Sequence, residues 1–131
     1  MKKTSLLNIA LSETIAGLGH GDTLVISDAG LPVPPETRRI DLALTGNVPR
    51  FIETLRIVLA EMQVESVIMA KETEQVSPHI LAEVQKLLPN ATIELMPHTT
   101  FKEMTREARA VVRTGEFTKY ANVILKAGVV F

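Results

Sequence analysis

The chain has 131 residues, 46% of them hydrophobic and only 4% aromatic, which suits one domain with an aliphatic core of its own. Its 14 basic and 15 acidic residues leave a net charge of −1, which gives no electrostatic case for nucleic acid or an anionic membrane surface. The absence of cysteine excludes disulfides, thiolate catalysis and cysteine-held metals, and a reducing, cytoplasmic setting is expected. No stretch approaches the roughly 20 apolar residues that cross a bilayer. The start Met1-Lys-Lys-Thr-Ser-Leu-Leu opens like a signal peptide, but its apolar run stops at Asn8, so none is expected.

Helical and extended patterns alternate along the chain. Ser12 is positioned to cap a short first helix carrying Ile15 and Leu18, with Gly19 as its stop. The apolar run Thr23–Ser27 predicts a strand. Ile40–Leu44 alternates and predicts a short strand or extended segment. Pro49 then opens a helix whose Phe51, Ile52, Leu55, Val58, Leu59 and Met62 share one face. Val64–Ala70 predicts a buried strand. Ser77-Pro78 predicts a cap followed by a first-turn proline, with Leu81, Val84, Leu87 and Leu88 as the apolar stripe and Pro89-Asn90 as the stop. Thr92–Met96 predicts a strand, and Thr100–Glu103 has capping-box spacing for a helix ending near Ala108. Ala110–Arg113 and Asn122–Val130 predict the closing strands. This order implies a three-layer α/β/α fold with a mostly parallel sheet in a single domain, residues 1–131. The last two strands are joined by about eight residues, too few for a parallel crossover, so one of them is expected to run antiparallel in a mixed sheet.

Candidate chemistry follows from strand direction. Ligand groups in parallel sheets collect beyond the carboxyl ends of strands. Asp28 and His98 both follow predicted strands, so one rim is expected to hold both. Each also has a plainer reading, Asp28 as a turn residue before Gly30 and His98 as a surface loop residue. His20 lies between two glycines and precedes its strand, which places it at the opposite end of the sheet. At about 3.3 Å per residue, the intervening strand separates it from Asp28 by on the order of 15–20 Å. A C-capping histidine on the first helix is its plainer reading. Tyr120, Ala121 and Asn122 form a polar loop whose ring, hydroxyl and amide suit a polyhydroxylated ligand, or a capped turn with a structural tyrosine. His79 falls in a helical first turn and is expected to be exposed. The histidines are too scattered for a metal cluster, and no phosphate loop, dinucleotide fingerprint or nucleophile elbow occurs, so neither metal nor cofactor is expected.

Taken together, Leu18-Gly-His-Gly-Asp22, Asp28-Ala-Gly-Leu-Pro-Val-Pro34, Ile40-Asp-Leu-Ala-Leu44, Glu61-Met-Gln-Val-Glu65, Arg113-Thr-Gly-Glu116, Tyr120-Ala-Asn122 and the ending Ala127-Gly-Val-Val-Phe131 resemble the D-ribose pyranase family and its relatives, the fucose mutarotases. Gly21 and Lys119 look more like the fucose branch, and the Asp28 and Ile40 motifs look more like the ribose branch. The resemblance implies a cofactor-free isomerase that interconverts pyranose and furanose forms of free D-ribose. It implies His20 as the acid/base group, and sugar contacts from Asp28, His98, Tyr120, Asn122 and the Ala121 backbone. It also implies a homo-oligomer, a decamer of two stacked pentameric rings with sites between subunits. A mutarotase for fucose or another monosaccharide, and a sugar-binding module without catalysis, are the alternative readings.

Overall fold

The structure, a computed structural model, describes residues 1–131. Six strands form one mixed sheet: β1 (Thr23–Ser27), β2 (Arg39–Asp41), β3 (Val64–Ala70), β4 (Thr92–Met96), β5 (Ala110–Arg113) and β6 (Val123–Ala127), in the order β2-β5-β1-β6-β3-β4. β1 pairs in parallel with β5, β5 with β2, and β3 with β4. Only β6 runs against its neighbours, β1 and β3, as the short final connection requires. The reversed strand therefore begins at the carboxyl end of the other five and finishes at their amino end.

Period-two alternation sorts the strand residues between two cores. Leu24 and Ile26 of β1 face one layer, with Val67 and Met69 of β3 and Val123 and Leu125 of β6. Val25, Val111 and Ile124 face the other. Helices α1 (Ile9–Ala16), α2 (Phe51–Leu59) and α4 (Pro78–Leu87) cover the first face through Leu11, Phe51, Leu55, Val58, Ile80, Leu81 and Val84. Helix α5 (His98–Met104) covers the second through Phe101, which is fully buried, and a 3-10 turn follows over Thr105–Glu107. These are the expected three layers. No helix is long and apolar enough to cross a membrane.

Several local expectations change. α1 starts before Ser12, because Asn8 accepts the Leu11 N–H at 2.9 Å and so caps the helix four residues earlier. Gly17, not Gly19, closes it. Ser77 stands at the cap position of α4 with Pro78 in its first turn, as expected, but its hydroxyl makes no cap bond and donates to the Lys119 carbonyl at 2.8 Å. α5 starts at His98, ahead of the Thr100–Glu103 box, with Pro97 at its cap position. A short helix, α3 (Lys71–Val76), precedes α4 where no element was expected; Lys-Glu-Thr-Glu-Gln-Val carries no apolar stripe to reveal it. β2 is shorter than Ile40–Leu44, and β6 stops at Ala127, leaving Val130 and Phe131 exposed.

Candidate active site

The carboxyl end of the sheet gathers four of the expected residues. Asp28 follows β1, and Asn122 immediately precedes the reversed strand β6, so antiparallel pairing sets them side by side. The Asp28 N–H donates to Asn122 Oδ1 at 2.8 Å, and Asn122 Nδ2 donates to Asp28 Oδ2 at 3.1 Å. The other Asp28 oxygen accepts the N–H groups of Gly30 and Leu31, each at 2.9 Å. Asp28 is therefore the turn residue of its plainer reading, and it also lines a pocket. Arg113 secures the same turn by donating from Nε to the Ala29 carbonyl at 3.0 Å while Nη1 reaches Asp41 at 3.0 Å.

Tyr120 enters this rim in a left-handed conformation, φ 61°, which is uncommon for an aromatic residue. Its backbone is held from several directions. The Tyr120 carbonyl accepts Thr73 Oγ1 at 2.8 Å and the Asn122 N–H at 2.9 Å, and Ser77 grips the preceding Lys119 carbonyl. Such over-determination is what keeps a strained residue in place at a site. α3, silent in the sequence, thus serves as the clamp for the Tyr120 loop. Ala121 is fully buried in the core, so its backbone, not its methyl group, is what it offers.

His98 follows β4, as expected, at the first position of α5. Its backbone N–H donates to Glu72 Oε2 at 2.7 Å. The ring meets Tyr120 edge-on with centroids 5.0 Å apart and stacks at 6.0 Å on Phe101. Burial, assisted by the Lys102 charge, pushes the imidazole below its usual pKa; Glu72 and Asp28 oppose the shift without reversing it. Nδ1 is buried without a hydrogen-bond partner. A buried polar atom left unpaired costs about 1–3 kcal/mol. A cavity of about 320 Å³ is lined by Asp28, Gly30, Pro32, His98, Tyr120 and Asn122, within the size range of small-molecule sites.

Beneath the rim, Glu116 is nearly fully buried. Burial alone would raise its pKa. The Phe51 N–H, the Thr118 hydroxyl and N–H, and the Arg50 charge outweigh that effect and hold it below the ordinary carboxylate value. Its Oε1 accepts the Phe51 N–H at 3.2 Å, so it caps α2 from a distant part of the chain. Gly115 beside it allows close backbone approach, since a Cβ there would collide with the Thr45 and Val48 carbonyls.

His20 does not join this rim. It lies at the amino end of β1, in a turn that the Gly21 N–H ties to the Ala127 carbonyl at 2.9 Å. It does not cap α1. Its Nε2 sits 2.9 Å from Glu65 Oε2, and Glu65 Oε1 is 3.1 Å from Lys126 Nζ. The His20 side chain is 62% exposed. It borders a second cavity of about 420 Å³ with Glu61, Gln63, Gly128, Val130 and Phe131. His79 is exposed on α4. No group of three or more His, Asp or Glu side chains is arranged to hold a metal ion.

Sequence reasoning missed Glu65, Glu72 and Lys126 as members of these two clusters. Glu72 follows a strand, as Asp28 does, and that position was the available signal. Glu65 and Lys126 meet across a strand pair and left no local trace.

Comparison with known proteins gives a consistent picture. The model of the RbsD / FucU transport protein family matches residues 1–130. A protein of Chloroflexus aggregans named D-ribose pyranase is 62% identical over 131 residues, with both chains fully covered. The structure of Bacillus subtilis RbsD complexed with D-ribose superposes with a TM-score of 0.97 at 46% identity, covering all of both chains. The fucose mutarotase of Streptococcus pneumoniae, solved in complex with L-fucose, gives a TM-score of 0.81 at 28% identity and covers 95% of this chain and 94% of its own.

Proposed function

The chain belongs to the RbsD / FucU transport protein family, and on that footing we propose that it is a D-ribose pyranase, a cofactor-free isomerase interconverting the six- and five-membered ring forms of free D-ribose. The ribose branch is favoured over fucose by the 62% identity to a D-ribose pyranase against 28% to the fucose mutarotase. All of residues 1–131 act as one isomerase domain in this reading. Its proposed compartment is the cytoplasm, which suits a cysteine-free chain.

The observation that carries the reading is the cavity at the carboxyl end, where hydrogen-bonding groups stand at fixed positions around an aromatic wall. Asp28 accepts sugar hydroxyl protons there. His98, whose burial favours the neutral ring, lines the cavity beside Tyr120. Tyr120 and Asn122 supply a ring face, a phenol and an amide, and Ala121 a backbone group.

His20 is the acid/base group. It takes the proton of the anomeric hydroxyl as the C1–O electrons form the aldehyde. The bond from C1 to the ring oxygen breaks, and the imidazolium returns the proton to that oxygen. The open aldehyde then closes through a different hydroxyl: that hydroxyl's oxygen bonds to C1, and its proton passes by way of the imidazole to the carbonyl oxygen. Protons and electrons balance within the sugar, so no redox centre takes part. General acid–base catalysis of this kind contributes about 10²–10⁴-fold.

His20 and the rim stand at opposite ends of β1. The proposal therefore includes a homo-oligomer, a decamer of two pentameric rings, in which the amino end of one subunit meets the carboxyl end of another. Val130 and Phe131, exposed beside His20, are apolar surface for such a contact.

Saturation-transfer NMR on free D-ribose tests the activity. Faster exchange between pyranose and furanose signals is the expected result. Acceleration confined to α and β anomers of one ring form, or no acceleration, would overturn it.

A further inference from the structure

Beside His20, β3 carries an irregularity. Val64 pairs with Ala127 and Ser66 with Lys126, so one step along β6 spans two along β3, and Glu65 is the extra residue. The buried positions record the same slip: Val64 and Val67 both face the large core, three residues apart instead of two. Such bulges re-aim one side chain out of the pleat. Here the bulged residue delivers its carboxylate to His20 Nε2 at 2.9 Å and to Lys126 Nζ at 3.1 Å.

From this geometry we infer that Glu65 is a positioning residue that fixes neutral His20 as its Nε2–H tautomer and so makes Nδ1 the nitrogen that exchanges protons with the sugar. The inference rests on the reading of His20 as the acid/base group. An ionised carboxylate only accepts hydrogen bonds, so a bond to it obliges Nε2 to carry the proton and leaves the Nδ1 lone pair free. Bonds from His20 first, and then from Lys126, hold Glu65 below the ordinary carboxylate pKa, which keeps it ionised at neutral pH. An orienting carboxylate, a base and a reacting atom in sequence is the arrangement by which proteins aim an imidazole.

Other charges face His20. Glu61 lines the same cavity, beside apolar Val130 and Phe131. Asp22, next in the turn, is occupied by the Gly19 N–H at 2.8 Å and by Arg109 at 3.1 Å. Among the cations, Lys126 is bound to Glu65 itself. It anchors the carboxylate from its other oxygen.

Nitrogen-15 NMR of the histidine rings reads the tautomer directly, and the rate of ribose exchange reads its consequence. Wild-type His20 should show a protonated Nε2 and an unprotonated Nδ1. Glu65→Ala should slow exchange about tenfold or more and let the Nδ1–H tautomer of His20 appear. Ribose affinity should be unchanged, since Asp28, His98, Tyr120 and Asn122 of the rim are untouched. A wild-type Nδ1–H tautomer would overturn the inference. So would an unaltered rate and tautomer in Glu65→Ala while His20→Ala is inactive. Full exchange activity in His20→Ala would overturn the acid/base reading itself and the inference with it, which distinguishes the two failures.

Discussion

The two ends of the sheet are built by different means. At the carboxyl end, Asp28, Asn122 and Tyr120 are held by short bonds to backbone and to one another, and Thr73, Ser77, Arg113 and Glu72 brace them from outside. At the amino end, His20 is hydrogen-bonded to Glu65 and Glu65 is ion-paired to Lys126 in solvent, with side chains 62%, 36% and 47% exposed. The first end is rigid before any ligand arrives, which lowers the ordering cost of binding a small polar molecule. The second keeps its imidazole accessible and charged neighbours close, which suits proton transfer. In the proposed function, recognition and proton transfer are thus separated by the length of a strand. A complete site needs both.

The largest expected effect breaks that comparison at its amino end. His20→Ala should reduce ribose ring exchange by about 10²–10⁴-fold while isothermal titration shows ribose binding retained. Loss of binding together with rate would mean the two ends are not functionally separate.

At the carboxyl end, Asn122→Ala removes both bonds to Asp28. Hydrogen bonds involving a charged group contribute about 1.5–3 kcal/mol, so ribose Kd should rise about tenfold or more and thermal stability should fall with it. An unchanged Kd would remove Asp28–Asn122 from the binding account.

Glu116→Gln sharpens the comparison from below the rim. With its pKa lowered in the folded state, the carboxylate stabilises the protein above its ordinary value of 4.5, and that contribution is lost as pH falls through the folded value. The variant should be less stable at neutral pH by about 1–3 kcal/mol, with the gap closing on acidification. Equal urea midpoints for the two proteins at pH 7 would contradict the capping role.

The smallest effect concerns His98. Burial lowers its pKa, so NMR titration should find it neutral at pH 7 and protonating only below its ordinary value of 6.5. What it adds to stability is present above that value and lost as pH falls through the folded one. A titration midpoint at or above the ordinary value would mean the ring is not in the buried contact with Phe101 and Tyr120.

How far the sequence reached differs between the two ends for physical reasons. Asp28 and His98 were placed on one rim from strand direction alone, because a parallel sheet puts every strand's exit at the same end. Asn122 and Tyr120 join them because β6 is reversed, a consequence of the short link after β5. Glu65 was invisible, since a bulge exists only relative to the partner strand's register. Glu72 and the Thr73 and Ser77 hydroxyls act on residues more than twenty positions away. The start of α1 was misplaced because Asn8 and Ser12 are both competent caps, and the buried Leu11 decides in favour of the earlier one.

In the proposed assembly, one site takes its proton-transfer group from one subunit and its sugar contacts from another. Mixing His20→Ala with Asp28→Ala after dissociation and reassembly tests this most directly. Each variant alone should be inactive. Random reassembly of equal amounts should restore about a quarter of wild-type exchange, the fraction of interfaces with both intact residues. Mixed assemblies that stay inactive, or a monomer with full activity, would contradict it.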